Sequence, residues 1–510
     1  MRPRSWPSLP PVAGIVCVGA LILLASWLAL ALIHIDDRYA VTGTSSVWMG
    51  LAHYAHHGVL FPPPFDGEHV AGTRYMPLPV VLHGGIADIT GEYLFSGKLL
   101  GLLSGVGLGS LLVLALRKVG TTTWLALALT AVVLSSPVGL IATTGLRHEA
   151  IPTGFQLAAV LTVLSSDRRR SLALAALLCA LAVMAKLTAI TAPIAIGIWL
   201  VWRRPRDGAA FVAAFGVLTI SLFAVVTAWS GGRIWTNLLE LGSVGVGLSD
   251  ALTIPTRFLA HLSAQQGLLL LVPIALLALA AGRRTGVGGR PSLPQLCLLV
   301  AVPLTLAIYT DRGSDYNHLL DLGVMMALVV GEATVRPTLS RSLGQNLAPV
   351  LAATLVVSMG VTFAVGPGID VALAARHILG DQRAGMYDPT PLDGILRSDD
   401  EILSDTAYVP LSLGQQPIVL DPFMFNRIAE HHPEVVQAIA ERVERQQFDA
   451  IVLQFPVDGM SFPAFFGPSD NGADVTAAIS NRYRLELVVP GDDLSFTLKG
   501  SPLYVYVPNS

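Results

Sequence analysis

Residues 12–40 read VAGIVCVGALILLASWLALALI followed by HIDDRYA, and this stretch decides the class of protein. The first part, from Val12 to Ile33, is 22 residues long and carries no charge. About 20 apolar residues are enough to cross a bilayer as a helix. The run is too long for the apolar core of a signal peptide and has no small-residue cleavage site, so it predicts an uncleaved first span.

The composition of the whole chain agrees with a membrane protein. Of the 510 residues, 53% are hydrophobic and only 13% are charged, which is unusual for a soluble protein of this length. The formal net charge is −3, so no basic face is expected that could bind the phosphate backbone of a nucleic acid, and nucleic acid is excluded as a partner. Cys17, Cys179 and Cys297 all lie in apolar runs, which argues against a disulfide framework or a zinc site.

Further apolar segments along the chain bring the predicted number of transmembrane helices to about eleven. These spans are placed near 12–33, 93–116, 121–140, 149–166, 171–186, 187–202, 209–229, 264–282, 294–310, 318–335 and 347–366. If the N-terminus is cytoplasmic, the basic clusters all fall in cytoplasmic loops, as the positive-inside rule requires. These clusters are at 117–118, 167–170, 203–206, 283–290 and 336–341.

The same alternation places the segment 34–92 and the tail beyond residue 366 on the outer side of the membrane. From about residue 367 the composition becomes charged and mixed. We therefore predict two domains, a transmembrane domain of residues 1–366 and an extracytoplasmic soluble α/β domain of residues 367–510, in a multi-pass protein of the plasma membrane. In the second domain, β-type runs at 418–420, 450–453 and 485–489 alternate with predicted helices at 432–447 and 472–482.

Several polar groups in the segment 34–92 need an explanation. Asp36 and Asp37 either mark where the chain leaves the lipid or take part in chemistry, because an aspartate beside apolar surface and a cation can act as a general base. The stretch 45–58 predicts an amphipathic helix along the membrane interface. On it, His53 and His57 are spaced as zinc ligands can be, but no further ligand pattern accompanies them, so the prediction is interfacial packing and no metal site.

Other polar groups lie where predicted spans meet the outer side. The fourth span begins with Arg147, His148 and Glu149. The tenth begins with Asn317, His318 and Asp321, whose spacing predicts that all three face the same side of the helix. Lys186, between the fifth and sixth spans, is on the outer side against the charge rule. Either a bound anion such as a phosphate, or snorkelling of the side chain to the interface, would account for it.

With this order of motifs, the chain resembles the C-type glycosyltransferase superfamily (GT-C), and most closely its bacterial branch akin to protein O-mannosyltransferases and lipid A aminoarabinose transferases. The resemblance covers residues 12–335. It rests on Asp36-Asp37-Arg38-Tyr39-Ala40 after the first span, Gly58, Tyr75-Met76-Pro77, Gly91, Arg147-His148-Glu149, Lys186 and Asn317-His318-Leu319-Leu320-Asp321. The acidic pair of that family is usually Asp-Glu with one residue before the Arg, whereas Asp37 abuts Arg38 here, so which aspartate is the base stays open.

The resemblance implies a membrane glycosyltransferase that moves a sugar from a polyprenyl-phosphate carrier to a hydroxyl of a lipid, glycan or protein acceptor, with inversion. Asp36 or Asp37 would be the general base. The donor phosphate would be held by Lys186, Arg147, His318 and Asn317. The remaining substrate contacts would come from Arg38, Tyr39, Tyr75, His148, Glu149 and Asp321. No cofactor is assigned, and a divalent cation is left open.

Two other classes of function compete with this interpretation. A transporter or lipid flippase would also place polar residues inside the membrane, but it favours Gly- or Pro-broken spans in matched halves, and no such internal symmetry is visible. A catalytically inactive membrane scaffold of the same fold would tolerate replacement of Asp36, whereas an enzyme that uses this residue would not.

Overall fold

The computed structural model describes residues 10–41, 43–166, 168–242, 248–285, 290–311, 314–335, 347–379, 392, 394–457, 472–490 and 502–509. Parts of the basic clusters named above lie outside this part of the chain, namely Asp167, residues 286–289 and residues 336–341.

Helices make up the first and larger part of the molecule. In chain order they are α1 (Pro10–Ile33), α2 (Gly43–His56), α3 (Pro77–Thr90), α4 (Tyr93–Lys118), α5 (Thr123–Ser135), α6 (Pro137–Thr144), α7 (Ala150–Ser165), α8 (Arg169–Ala185), α9 (Thr191–Arg203), α10 (Pro205–Trp229), α11 (Arg233–Leu241), α12 (Leu248–Ser263), α13 (Val272–Thr285), α14 (Leu293–Ile308), α15 (Leu319–Ala333), α16 (Leu347–Val365) and α17 (Pro367–Leu379). Short 3-10 turns precede α13 and α15.

Four of the described helical segments are long and apolar enough to cross a membrane: Val12–Ile33, Tyr93–Lys118, Pro205–Trp229 and Val350–Ala375. A fifth, the predicted span 121–140, is broken between α5 and α6 by a bend of 74°. Pro137 at the break has no backbone N–H to continue the helix, and the Ser136 side chain accepts from the Gly139 amide at 3.2 Å to start α6. The fold is thus that of a polytopic membrane protein, and the total of about eleven spans stays a prediction.

The connections between the helices meet at two separate ends of the bundle. At one end, Arg117 donates to the Thr121 carbonyl at 2.7 Å, and Ser292 donates to Glu332 at 2.6 Å. At the other end, the connection before α7 contacts those that follow α8 and α14, as described below. Arg117 and Ser292 therefore lie at the opposite end of α4 and α14 from the predicted site residues, and the side of the membrane that each end faces stays a prediction.

The packing of α4 depends on glycines that face the α6–α7 connection. A Cβ atom at Gly101 would lie 3.0 Å from the carbonyl oxygen of Gly145 and 3.2 Å from that of Thr143. A backbone oxygen cannot move aside as a flexible side chain can, so this position admits no larger residue without a shift of the backbone. The close approach brings the start of α4 against the segment that carries the predicted site residues 147–149.

The C-terminal part is an α/β layer, as predicted. Its four-stranded sheet has the order β1-β2-β4-β3, with β1 and β2 parallel and the other pairs antiparallel. The strands are β1 (Ile402–Ser404), β2 (Ala450–Leu453), β3 (Tyr483–Val489) and β4 (Leu503–Pro508). The helices beside it are α18 (Tyr408–Ser412), α19 (Pro422–His431), α20 (Glu434–Glu444) and α21 (Gly472–Arg482).

Two sequence-based expectations need correction. The run 418–420 is not a strand of the sheet, because Val419 forms only an isolated parallel bridge with Val70 from the 34–92 segment. Helix α2 is not laid open along a surface. Its residues Trp48, Leu51 and Tyr54 are buried in one apolar cluster together with residues of the α/β layer, so α2 connects the two parts of the molecule.

The close approach at Gly101 predicts a specific loss of stability. We expect Gly101→Leu to lower the free energy of unfolding by about 1–3 kcal/mol, because the new side chain meets backbone oxygens. Gly107→Leu is the matched control, since Gly107 is on the same helix with nothing within 4 Å of its Cβ position. Thermal unfolding of both variants in detergent measures the difference, and equal melting temperatures would contradict the proposed contact.

Candidate active site

The acidic segment after α1 is held in a compact arrangement of hydrogen bonds. Asp37 Oδ2 is 2.6 Å from Nδ1 of His34, and Asp37 Oδ1 accepts from the Tyr39 amide at 2.9 Å. The ammonium group of Lys98 on α4 is 3.3 Å from the same Oδ1 and donates to the His34 carbonyl at 2.5 Å. Both carboxylate oxygens of Asp37 are therefore occupied by partners within the chain.

The two adjacent aspartates have different surroundings. Burial raises the pKa of the Asp37 carboxyl, but the hydrogen bond to His34 and the charge of Lys98 outweigh it and hold this pKa below its usual value. A carboxylate with a lowered pKa has a weak affinity for a proton and is a poor general base. Asp36, in contrast, is exposed at the surface. The structure thus distinguishes two residues that the sequence left equivalent.

The next two residues do not face an open surface. Tyr39 is buried with its hydroxyl donating to Asp370 of α17 at 2.9 Å, and its ring stacks on His34 at a centroid distance of 4.1 Å. Arg38 is also buried and donates to the Pro490 carbonyl at 3.2 Å. Their side chains join the acidic segment to α17 and to the end of β3, and the binding of substrate by these two residues stays a prediction.

A second group of polar residues forms where α7, α8 and α15 meet. Glu149 is 2.6 Å from the ammonium group of Lys186, which follows directly after α8, and accepts from the amide of Asn317 at 2.5 Å. The charge of Lys186 is therefore matched by a carboxylate within the chain. This pairing is a third account of Lys186 beside the two that the sequence left open, and since the lysine stays partly exposed, its binding of a donor phosphate stays a prediction.

The neighbouring cations are paired as well. Arg147 Nη1 is 2.6 Å from Asp315, and Arg74 Nη1 is 3.2 Å from Asp311. Asp311 and Asp315 both lie between α14 and α15, so each ion pair joins this loop to another part of the chain. His318 interacts electrostatically with the positive charges of Lys186, Arg74 and Arg147. These contacts bring together the residues that the sequence predicted to hold a donor phosphate.

A narrow pocket opens beside this group. Its lining includes Glu149, Thr153, Lys186, Asn317, His318 and Asp321. The spacing of Asn317, His318 and Asp321 predicted that they share one side, and the common pocket confirms it. Asp321 is hydrogen-bonded to Thr153 and, at 2.8 Å, to Gln156 of α7. Asp321 is thus held in place by neutral donors, whereas Glu149 is held by a cation.

Tyr75 lies close to Trp48 of α2 and to the predicted site residues Arg147 and Glu149. Its ring packs on Trp48 of α2 with centroids 4.6 Å apart, and Trp48 in turn meets His148 edge-on at 5.1 Å. Burial and the charge of Asp421 raise the pKa of Tyr75 to about 12, so its hydroxyl stays protonated and can donate a hydrogen bond. Arg147 and Glu149 are near enough to act on the same hydroxyl electrostatically.

His148 itself is buried. Its Nε2 is 3.4 Å from Nδ1 of His83 on α3, whose Nε2 donates to the Tyr93 carbonyl at 2.7 Å. This arrangement fits two neutral imidazoles, with His148 donating to His83. His148 thus contacts both His83 and Trp48, and its role in substrate binding stays a prediction.

His53 near the end of α2 and His57 just after it contact neighbouring rings. His53 lies against Tyr93, with its Nδ1 3.2 Å from the tyrosine hydroxyl, and its ring meets that of His57 at 4.4 Å. Within the described part of the chain, no three His, Cys, Asp or Glu side chains come together in a way that could hold a metal ion.

Comparisons with known proteins concern the fold of the chain. No protein-family model matches the chain, and no curated protein matches its sequence significantly. ArnT from Cupriavidus metallidurans, solved with undecaprenyl phosphate, has 13% sequence identity and a TM-score of 0.58, with 96% of this chain and 98% of ArnT covered. Its apo structure aligns with a TM-score of 0.58 at 14% identity, with 95% of this chain and 97% of ArnT covered. The apo oligosaccharyltransferase of Archaeoglobus fulgidus aligns with a TM-score of 0.54 at 13% identity, with 94% of this chain and 73% of the oligosaccharyltransferase covered.

The chain has a C-type glycosyltransferase fold. The resemblance inferred from the sequence motifs is thus confirmed at the level of the fold, because these solved structures are C-type glycosyltransferases and the alignment with ArnT spans almost the whole of both chains. Sequence identities of 13–14% establish the fold alone, so the reaction is argued from the residues of this chain.

Within the C-type fold, several polar residues escaped the sequence analysis. Lys98 is an ionisable group inside the apolar run 93–116, and the reasoning applied to Lys186 would have singled it out. Arg74 was treated only as part of a motif, yet it pairs with Asp311. No local signal could have shown that His83 contacts His148, because the two are 65 residues apart.

The buried histidine pair predicts a loss of stability in acid. Burial lowers the pKa of His83 to about 4, and burial together with His83 lowers that of His148 well below its usual value. The unfolded chain then binds more protons than the folded chain, so this contribution to stability is present above about pH 6.5 and is lost as the pH falls toward 4. We expect His83→Gln to reduce the pH dependence of the melting temperature over this range.

The matched control is His57→Gln, since His57 is exposed just after α2. Melting curves of the native chain and of both variants, recorded from pH 7.5 to 4.5, test the assignment. If His57→Gln changes the pH dependence as much as His83→Gln, the buried pair is not its source.

Proposed function

We propose that this protein is an inverting membrane glycosyltransferase that takes a sugar from a polyprenyl-phosphate carrier and transfers it to an acceptor hydroxyl on the outer side of the membrane. The observation that carries the proposal is the group formed by Lys186, Arg147, Tyr75, Asn317 and His318 at one end of a bundle with the C-type fold. This group offers cations and neutral hydrogen-bond donors beside apolar helices, as an amphipathic donor with a lipid tail and a phosphate requires.

The charge of the donor fits the pairing of Lys186. A polyprenyl-phosphate sugar is a phosphodiester with one negative charge, so its phosphate can pair with the Lys186 ammonium group in place of one carboxylate. The pair of Lys186 with Glu149 is the best candidate for this exchange, because both side chains line the pocket and the Lys186 side chain is 22% exposed. Asn317, which donates to Glu149, can then donate to a phosphate oxygen.

The acceptor is activated on the acidic segment. Asp36 takes the proton of the acceptor hydroxyl while its oxygen attacks the anomeric carbon, and the bond between this carbon and the phosphate oxygen breaks. The leaving polyprenyl phosphate carries the extra negative charge, which Lys186 and Arg147 stabilise. Asp36 is preferred to Asp37 as the base because it is exposed, whereas both oxygens of Asp37 are occupied.

Replacement of the base is the first test. We expect Asp36→Asn to lower sugar transfer at least about 100-fold, which is the usual contribution of a general base. Isolated membranes that contain equal amounts of each variant are supplied with radiolabelled polyprenyl-phosphate sugars, and Asp88→Asn, an exposed aspartate of the same 34–92 segment, serves as control. Native-like transfer by Asp36→Asn would refute its role as the base, and no transfer from any donor by the native chain would favour the scaffold.

Replacement of the phosphate ligand tests the donor site. Hydrogen bonds to charged groups contribute about 1.5–3 kcal/mol, so we expect Lys186→Met to raise the KM for the donor roughly 10- to 100-fold. Lys118→Met is the matched control, because Lys118 is exposed at the opposite end of α4 from the site. An unchanged KM in Lys186→Met would show that the phosphate binds elsewhere.

A further inference from the structure

A buried lysine joins the end of the first helix to the acidic segment. Lys98 is in the second turn of α4, and only 2% of its side chain is exposed. Its ammonium group donates to the His34 carbonyl at 2.5 Å and lies 3.3 Å from Asp37 Oδ1. His34 directly follows α1, so the ammonium group is placed at the helix end where backbone carbonyls lack partners within the helix.

The residues that Lys98 contacts, His34 and Asp37, also contact each other. The His34 ring binds Asp37 Oδ2 and stacks on Tyr39, while the Tyr39 amide donates to the oxygen that faces Lys98. The segment 34–39 is therefore fixed from both sides, by its own side chains and by α4. Asp36 is the residue of this segment whose side chain faces the surface.

We propose that Lys98 is a positioning residue for the acidic segment, and that it acts through Asp37 to keep Asp36 in place for the reaction. The significance of Asp36 rests on the proposed function, but the anchoring of the segment does not. Burying an ammonium group among apolar helices costs several kcal/mol unless it is well paired, which favours a specific role over simple packing.

A purely structural lysine and a positioning lysine differ in where their loss is felt. If Lys98 only joins α1 to α4, its loss lowers the stability of the bundle and leaves the acidic segment as ordered as before. If it positions the segment, its loss frees the Tyr39 amide, because the carboxylate that accepts from this amide loses its fixed partner. Amide exchange at Tyr39 therefore reports on positioning without any need for a substrate.

The structural arm of the test uses hydrogen exchange of the purified full chain. We expect Lys98→Met to accelerate exchange in peptides that cover residues 35–41 by roughly tenfold or more, since a hydrogen bond to a charged group is lost. Lys98→Gln, which can still donate to the His34 carbonyl, should accelerate it less. The control is Leu112→Ala, a buried residue further along α4, which should lower the melting temperature without this local effect.

A double variant shows whether the effect passes through Asp37. In the background of Asp37→Asn, the further change Lys98→Met should add little to the exchange rate of the segment, because the contact is already weakened. Full additivity of the two effects would overturn the proposed route. Unchanged exchange around Tyr39 in Lys98→Met would overturn the anchoring role itself.

The catalytic arm uses the transfer assay. We expect Lys98→Met to lower kcat at least about tenfold while the KM for the donor changes little, because the proposed phosphate ligands are untouched. A loosened segment with native kcat would show that Lys98 anchors the segment without positioning Asp36 for the reaction, and would overturn that part of the proposal. A native chain that transfers no sugar would refute the proposed function, whereas the exchange data would still decide whether Lys98 anchors the segment, so the two failures are distinct.

Discussion

Charged side chains among apolar helices must be paired, and this constraint orders the end of the bundle that carries the candidate site. Lys98 is matched by Asp37, Lys186 by Glu149, and Arg147 by Asp315. Each pair joins parts of the chain that are distant in sequence. Apolar packing alone leaves helices free to slide along each other by small amounts, whereas an ion pair in these surroundings is costly to separate. The pairs therefore fix where the helix ends meet.

The pairs are not equivalent, and the difference separates support from chemistry. The ammonium group of Lys98 is buried, and it donates to the His34 carbonyl directly after α1. Lys186 and Glu149 line a pocket, and 22% and 12% of their side chains are exposed. The pair can therefore be reached from the pocket, and under the proposed function the donor phosphate competes with Glu149 for Lys186. A neutral ligand would separate the pair without replacing the negative charge that Lys186 loses.

The long apolar helices of the bundle could be predicted because the length of an apolar run is a local property of the sequence, whereas the break at Pro137 and the turn between Ser263 and Val272 were missed. The run 12–33 and the helix that contains it end at the same residue. The α/β layer was predicted less well: β1 has only three residues, too few for a pattern, and the apolar run 418–420 was taken for a strand. Contacts such as those of Lys98 with His34 and of His83 with His148 depend on how helices meet in space, so no local pattern could reveal them.

The acidic pair shows why adjacent residues of one type need not share a function. Asp37 gains partners on both oxygens, and these partners lower its pKa and thereby its value as a base. The same contacts hold the backbone of the segment and leave the neighbouring carboxylate at the surface. A single aspartate could not both accept the bonds that order the segment and accept a proton from a substrate. Under the proposed function, two adjacent aspartates divide these tasks, which would give a physical reason for an acidic pair at this position.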